Sequence, residues 1–160
     1  MGNFADRLHA EIGRKDSRVC VGLDPRVDNL PPHLRQVAEA GPREAAGAFA
    51  EFCVAIIHAV ADCAVAVKPQ AAFFELLGPP GYQTLWDVIA EARSAGVPVI
   101  LDAKRSDIGS TAEAYAEAYL DPPGGLAAPD ALTINAYLGS DGVLPFVNIA
   151  ARTGRGLYVL

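Results

Sequence analysis

Asp102 and Lys104 stand one residue apart at the end of an apolar run, and Asp107 follows in the same short segment, Asp102-Ala103-Lys104-Arg105-Ser106-Asp107. Residues two apart on a strand point to the same face, so the Asp102 carboxylate and the Lys104 ammonium are expected on one side of the sheet. With Asp107 in the following loop, carboxylate, ammonium and carboxylate would share one pocket, which keeps the lysine protonated and the acids ionised. Such a lysine can deliver a proton without a metal. A surface ion-pair cluster at a strand end would carry the same charges.

Lys68 is a second cation in unusual company, between Val67 and Pro69 at the end of another apolar run. Charged groups are seldom buried without partners, so its place argues for a site. The competing reading is a lysine whose stem covers apolar surface while its amine reaches water. Asp24 and Asn135 close two further runs. In parallel α/β proteins ligands sit at the C-terminal ends of the strands, where these polar residues fall.

Five elements must position these groups. The apolar runs Val19 to Leu23, Ala64 to Val67, Val97 to Leu101, Ala131 to Ile134 and Leu157 to Leu160 suit strands covered on both faces. Between them, Phe49, Phe52, Cys53, Ile56, Ile57 and Val60 share one helical face, as do Leu85, Val88, Ile89 and Ala92. Ser110 with Glu113 forms a capping-box pattern opening a helix that should stop before Pro122-Pro123. A fourth helix is expected from about Ser140-Asp141 to Arg152, with Pro145 tolerated in its early turns. Alternating strands and helices make a parallel α/β protein. At 160 residues the length favours an open doubly wound sheet, because a complete eight-stranded barrel takes about 250.

Half the residues are hydrophobic and a fifth charged, enough for one core. Acidic residues outnumber basic ones 19 to 13 with no basic cluster, so nucleic acid and anionic membrane are not expected partners. Cys20, Cys53 and Cys63 form no Cys-x-x-Cys pair and read as buried thiols of a reducing cytosol. Asp6 stands where a myristoylation signal wants Ser or Thr, and no run reaches membrane-spanning length, which points to the cytoplasm. His9, His33 and His58 lack metal-ligand spacing and read as structural, His58 on a helix face. Gly-x-Gly-x-x-Gly after the first strand, Walker and Gly-x-Ser-x-Gly patterns are absent.

The stretch Val99 to Ala112, containing Asp102-x-Lys104-x-x-Asp107-Ile108-Gly109-x-Thr111, resembles the signature of the orotidine 5'-phosphate decarboxylase family. Gly22-Leu23-Asp24-Pro25, Val67-Lys68-Pro69-Gln70 with Ala72-Phe73-Phe74-Glu75, and Ala136-Tyr137-Leu138-Gly139 are similar, in order and spacing, to its bacterial branch with longer chains. The resemblance implies a TIM (β/α)8 barrel rather than the open sheet. Here it would be an incomplete barrel of about five strands and four helices, one partial domain over residues 1–160, with strands six to eight absent.

It also implies a homodimer that converts orotidine 5'-monophosphate to UMP and carbon dioxide in pyrimidine synthesis, with no cofactor or metal. Carried over by position, Lys104 would protonate carbon 6 as carbon dioxide leaves, and Asp102 would face the substrate carboxylate. Lys68 and Asp24 would bind ribose hydroxyls and complete the charge network. Asp107, Ile108 and Thr111 would reach into the partner subunit's site. The reaction leaves a carbanion at carbon 6 that no ring position delocalises well, so a positioned cation must stabilise and quench it. The family's phosphate-gripping loops follow later strands, beyond this chain.

Two alternatives stand beside this. A sugar-phosphate decarboxylase or aldolase of the same superfamily shares Asp-x-Lys-x-x-Asp but uses magnesium; Lys68 and the Ile108-Gly109-x-Thr111 tail argue against it. The other is a noncatalytic fragment that keeps the family sequence without turnover.

Overall fold

Short β-branched runs that are apolar on both faces pair best when helices can cover them, and five such runs form the sheet here. The computed structural model describes residues 2–160, which leaves Met1 of the N-terminal pattern outside. Its strands are β1 (Val19–Leu23), β2 (Ala64–Pro69), β3 (Ile100–Arg105), β4 (Ala131–Ile134) and β5 (Gly156–Val159). All pairings are parallel and follow chain order. β1 pairs with β2, β3 to β5 form a second ladder, and isolated bridges Val67↔Val99 and Gln70↔Asp102 join the two. A doubly wound sheet reverses its strand order at a switch point, and this one does not. The chain therefore builds five successive strands of an incomplete barrel, against the expectation from length.

Among the described residues seven α-helices accompany them: α1 (Phe4–Lys15), α2 (Pro32–Ala38), α3 (Pro42–Val60), α4 (Ala71–Glu75), α5 (Pro79–Ser94), α6 (Gly109–Leu120) and α7 (Ser140–Thr153). The four expected crossovers are α3, α5, α6 and α7; α1, α2 and α4 are additional. No helix among the described residues is long and apolar enough to cross a membrane.

Alternation along the strands sorts the side chains into two layers. Val67, Leu101, Leu132 and Ile134 point outward into the main core with Phe49, Ile57, Leu85, Ile89 and Phe146. Ala66, Ile100 and Ala131 point inward and pack with Phe4 and Leu8 of α1, which closes the end of the barrel opposite the strand C-termini. Gly156 makes this possible, since a Cβ there would come within 2.2 Å of the Phe4 ring.

Several expectations need correction. β2 and β4 are buried, but Val19, Cys20 and Val159 are exposed, so β1 and β5 are not covered on both faces. They are the outermost strands, with no neighbour beyond them among the described residues. Cys20 and Cys63 are accordingly exposed and only Cys53 is buried; burial, reinforced by the Asp24 charge, pushes its thiol up to about 12. The third strand starts later than its apolar run and continues through the charged residues to Arg105. The capping box is not formed. Ile108 is the N-cap of α6 and supplies no side-chain hydrogen bond, because the helix opens at Gly109, ahead of Ser110.

Candidate active site

The charged residues at the ends of β2 and β3 converge on one carboxylate. Lys68 Nζ donates to Asp102 Oδ2 at 2.6 Å, and Lys104 Nζ donates to Asp102 Oδ1. Thr133 Oγ1 on β4 also donates to Oδ1, at 3.0 Å. Asp102 is buried, whereas both ammonium groups reach solvent. Burial alone would push the Asp102 carboxyl up; hydrogen bonds from Lys104, Lys68 and Thr133, with the Lys68 charge, outweigh it and hold the group down at about 2.

Asp102 and Lys104 do share a side, though not through a regular strand. Leu101 pairs with Leu132 and Arg105 with Ile134, so four steps along β3 match two along β4. Within this bulge Lys104 adopts φ 49°, a left-handed conformation that costs a non-glycine residue about 1–2 kcal/mol. Thr133 Oγ1 accepts from the backbone N–H of Ala103 at 3.0 Å and of Lys104 at 2.9 Å. Sequence reasoning passed over Thr133, because a β-branched residue inside Leu132-Thr133-Ile134 signals only a strand. The available clue was its hydroxyl, at an inward position one strand from Asp102.

Arg105, beyond the bulge, turns outward. It pairs with Glu75 of α4, donates to Tyr119 Oη of α6 at 3.0 Å and lies 5.4 Å from the centre of that ring. Burial raises the Tyr119 hydroxyl to about 12 despite the neighbouring Arg105. This cluster ties together the segments that follow β2 and β3.

The remaining predicted residues are more dispersed. Asp24 is exposed in the loop after β1, with no side-chain hydrogen bond or ion pair among the described residues. Asp107 does not join Lys104; its Oδ1 instead accepts from the Ile108 N–H at 2.8 Å. The single pocket of alternating charges therefore contains Asp102 and Lys104 but not Asp107. Ile108 is 55% exposed and Thr111 is exposed in the first turn of α6. Asn135 is spent locally, accepting from the Tyr137 N–H at 2.8 Å. His58 lies on α3 as expected, 2.9 Å from Glu91.

Two concavities border predicted site residues. The larger, about 690 Å³, lies between α6 and α7, bordered by Ile108, Glu113, Asp141, Leu144 and Asn148. The smaller, about 360 Å³, is lined by Lys68, Asp102, Lys104 and Thr133, with Tyr158 and Leu160. Only the smaller gathers the two ammonium groups around a depressed carboxylate at the strand ends, so it is the chemically competent one.

Comparison with known proteins shows what the whole chain is similar to. Residues 17–160 match the model of the Orotidine 5'-phosphate decarboxylase / HUMPS family. The chain is 50% identical over its whole length to an orotidine 5'-phosphate decarboxylase of Rhodopirellula baltica, covering 54% of that protein. It is 42% identical over 98% of its length to one from a Nocardioides species, again covering 54%. A crystal structure titled as a putative orotidine 5'-phosphate decarboxylase from Streptomyces avermitilis superposes with TM-score 0.82 at 35% identity, over 99% of this chain and 53% of that one. The chain thus spans about half the length of the curated relatives it matches.

Proposed function

Because the chain belongs to the Orotidine 5'-phosphate decarboxylase / HUMPS family, we propose that it carries the charged half of a site that converts orotidine 5'-monophosphate to UMP and carbon dioxide. The observation that carries this reading is the single Asp102 carboxylate held between Lys68 and Lys104 at the strand ends. As the bond from carbon 6 to the carboxylate breaks, its electron pair stays on carbon 6 and carbon dioxide departs. Lys104 then gives a proton from Nζ to that carbon, forming the new C–H bond. A cation placed where negative charge develops lowers the barrier, and one that also donates the proton removes the charge. Asp102 faces the departing carboxylate and fixes both ammonium groups. Lys68 and Asp24 take the ribose hydroxyls, a role suited to the exposed carboxylate of Asp24.

Asp107, Ile108 and Thr111 act across a homodimer, contributing to the partner subunit's site. Ile108 and Thr111 are exposed at the start of α6, and Asp107 makes no ion pair with Lys104 among the described residues, which supports that reading. The enzyme works without cofactor or metal and resides in the cytoplasm.

The test is an ultraviolet assay of orotidine monophosphate consumption by this chain and by a version extended to its relatives' length, each with and without a chelator. We expect turnover by the extended protein, indifferent to chelation, and far slower turnover by the chain alone. Its inner face is open to water beside Tyr158 and Leu160, and water weakens the electrostatic stabilisation of a carbanion. An inactive extended protein refutes the assignment, and loss of activity on chelation favours the magnesium-dependent alternative.

A further inference from the structure

We propose that Thr133 is a positioning residue for the proton donor: its hydroxyl holds the bulge of β3 that turns Lys104 toward Asp102. The inference rests on the proposed function for its kinetic consequence and on geometry alone for its structural one. A threonine hydroxyl has one proton to give and two lone pairs to receive. Here all three are spent within one segment: Ala103 N–H at 3.0 Å, Lys104 N–H at 2.9 Å and Asp102 Oδ1 at 3.0 Å. The β3–β4 register skips from Leu101 to Arg105, so the two amides have no counterpart residue on β4 and turn to a side chain instead.

Thr133 is only 6% exposed, which leaves little opening for water to replace the hydroxyl if it is removed. The left-handed backbone of Lys104 and the orientation of Asp102 thus depend on the same oxygen. Lys68 holds the other carboxylate oxygen and, as a donor, cannot accept from the Ala103 and Lys104 amides, so it cannot compensate.

Thr133→Val keeps the shape and removes the hydroxyl; Thr133→Ser keeps the hydroxyl and removes a methyl. Both are made in the chain extended to its relatives' length. Hydrogen–deuterium exchange over residues 101–105 is expected to quicken about tenfold or more in Thr133→Val, while Thr133→Ser stays near the parent. In the decarboxylase assay Thr133→Val should lower kcat about 100-fold with KM within about threefold, and Thr133→Ser should recover most of kcat. Parent-like exchange or parent-like kcat in Thr133→Val overturns the proposal, as does a serine variant no better than valine. Should the parent itself fail to decarboxylate orotidine monophosphate, the functional reading fails and the exchange result alone decides the positioning role.

Discussion

Lys68 Nζ stands 2.6 Å from Asp102 Oδ2, and this ion pair spans a junction between β2 and β3 where the backbone pairing among the described residues is two isolated bridges. The same carboxylate holds Lys104, so the group that sets the charge pattern of the site also fastens its scaffold.

Asp102→Asn should expose that double role. It preserves size and an oxygen for Thr133 but leaves two ammonium groups without their shared counter-charge. Because both lysines reach solvent, the expected loss of stability is modest for a buried carboxylate, about 1–2 kcal/mol in urea denaturation. Unchanged stability would show that the pair organises the site without holding the sheet.

The depressed carboxyl has a consequence for acid behaviour. A carboxyl lowered in the folded state from an ordinary 3.8 to about 2 contributes stability that is complete above about pH 4 and lost as pH falls through about 2. In a ¹³C titration Asp102 should therefore still be ionised at pH 4, where an ordinary aspartate is about half protonated. A midpoint near 4 would mean that burial cancels the help of Lys104, Lys68 and Thr133.

Much of the architecture was legible because burial leaves a plain trace in sequence. β1 and β4 begin and end where their apolar runs do, and the four crossover helices follow their apolar faces. β3 was displaced because its apolar run lies at the closed end, whereas its other half is charged and bulged. α1 escaped notice because few apolar residues, among them Phe4 and Leu8, anchor an otherwise polar helix. Lys68, Asp102 and Lys104 were visible as charges ending apolar strands. Thr133 was not, since its importance comes from the register between two strands, which no local pattern encodes. Cys20 was misjudged because its apolar neighbours sit on an outermost strand.

Asp107 offers a test of the proposed dimer. Lys104→Ala and Asp107→Ala proteins, each inactive in the extended chain, should recover activity when mixed, because a mixed dimer contains one site with both residues intact. Absence of recovery, with subunit exchange demonstrated by mass spectrometry, would place Asp107 in service of its own subunit.

The central claim is that Lys104 supplies the proton to carbon 6, and Lys104→Ala in the extended protein tests it most directly when turnover and substrate binding are measured side by side. An interaction made mainly in the transition state lowers kcat far more than affinity. The account predicts a fall in kcat of about 1,000-fold or more, with orotidine monophosphate binding still measurable by calorimetry. Turnover within about tenfold of the parent would contradict it, since that is less than a positioned proton donor contributes.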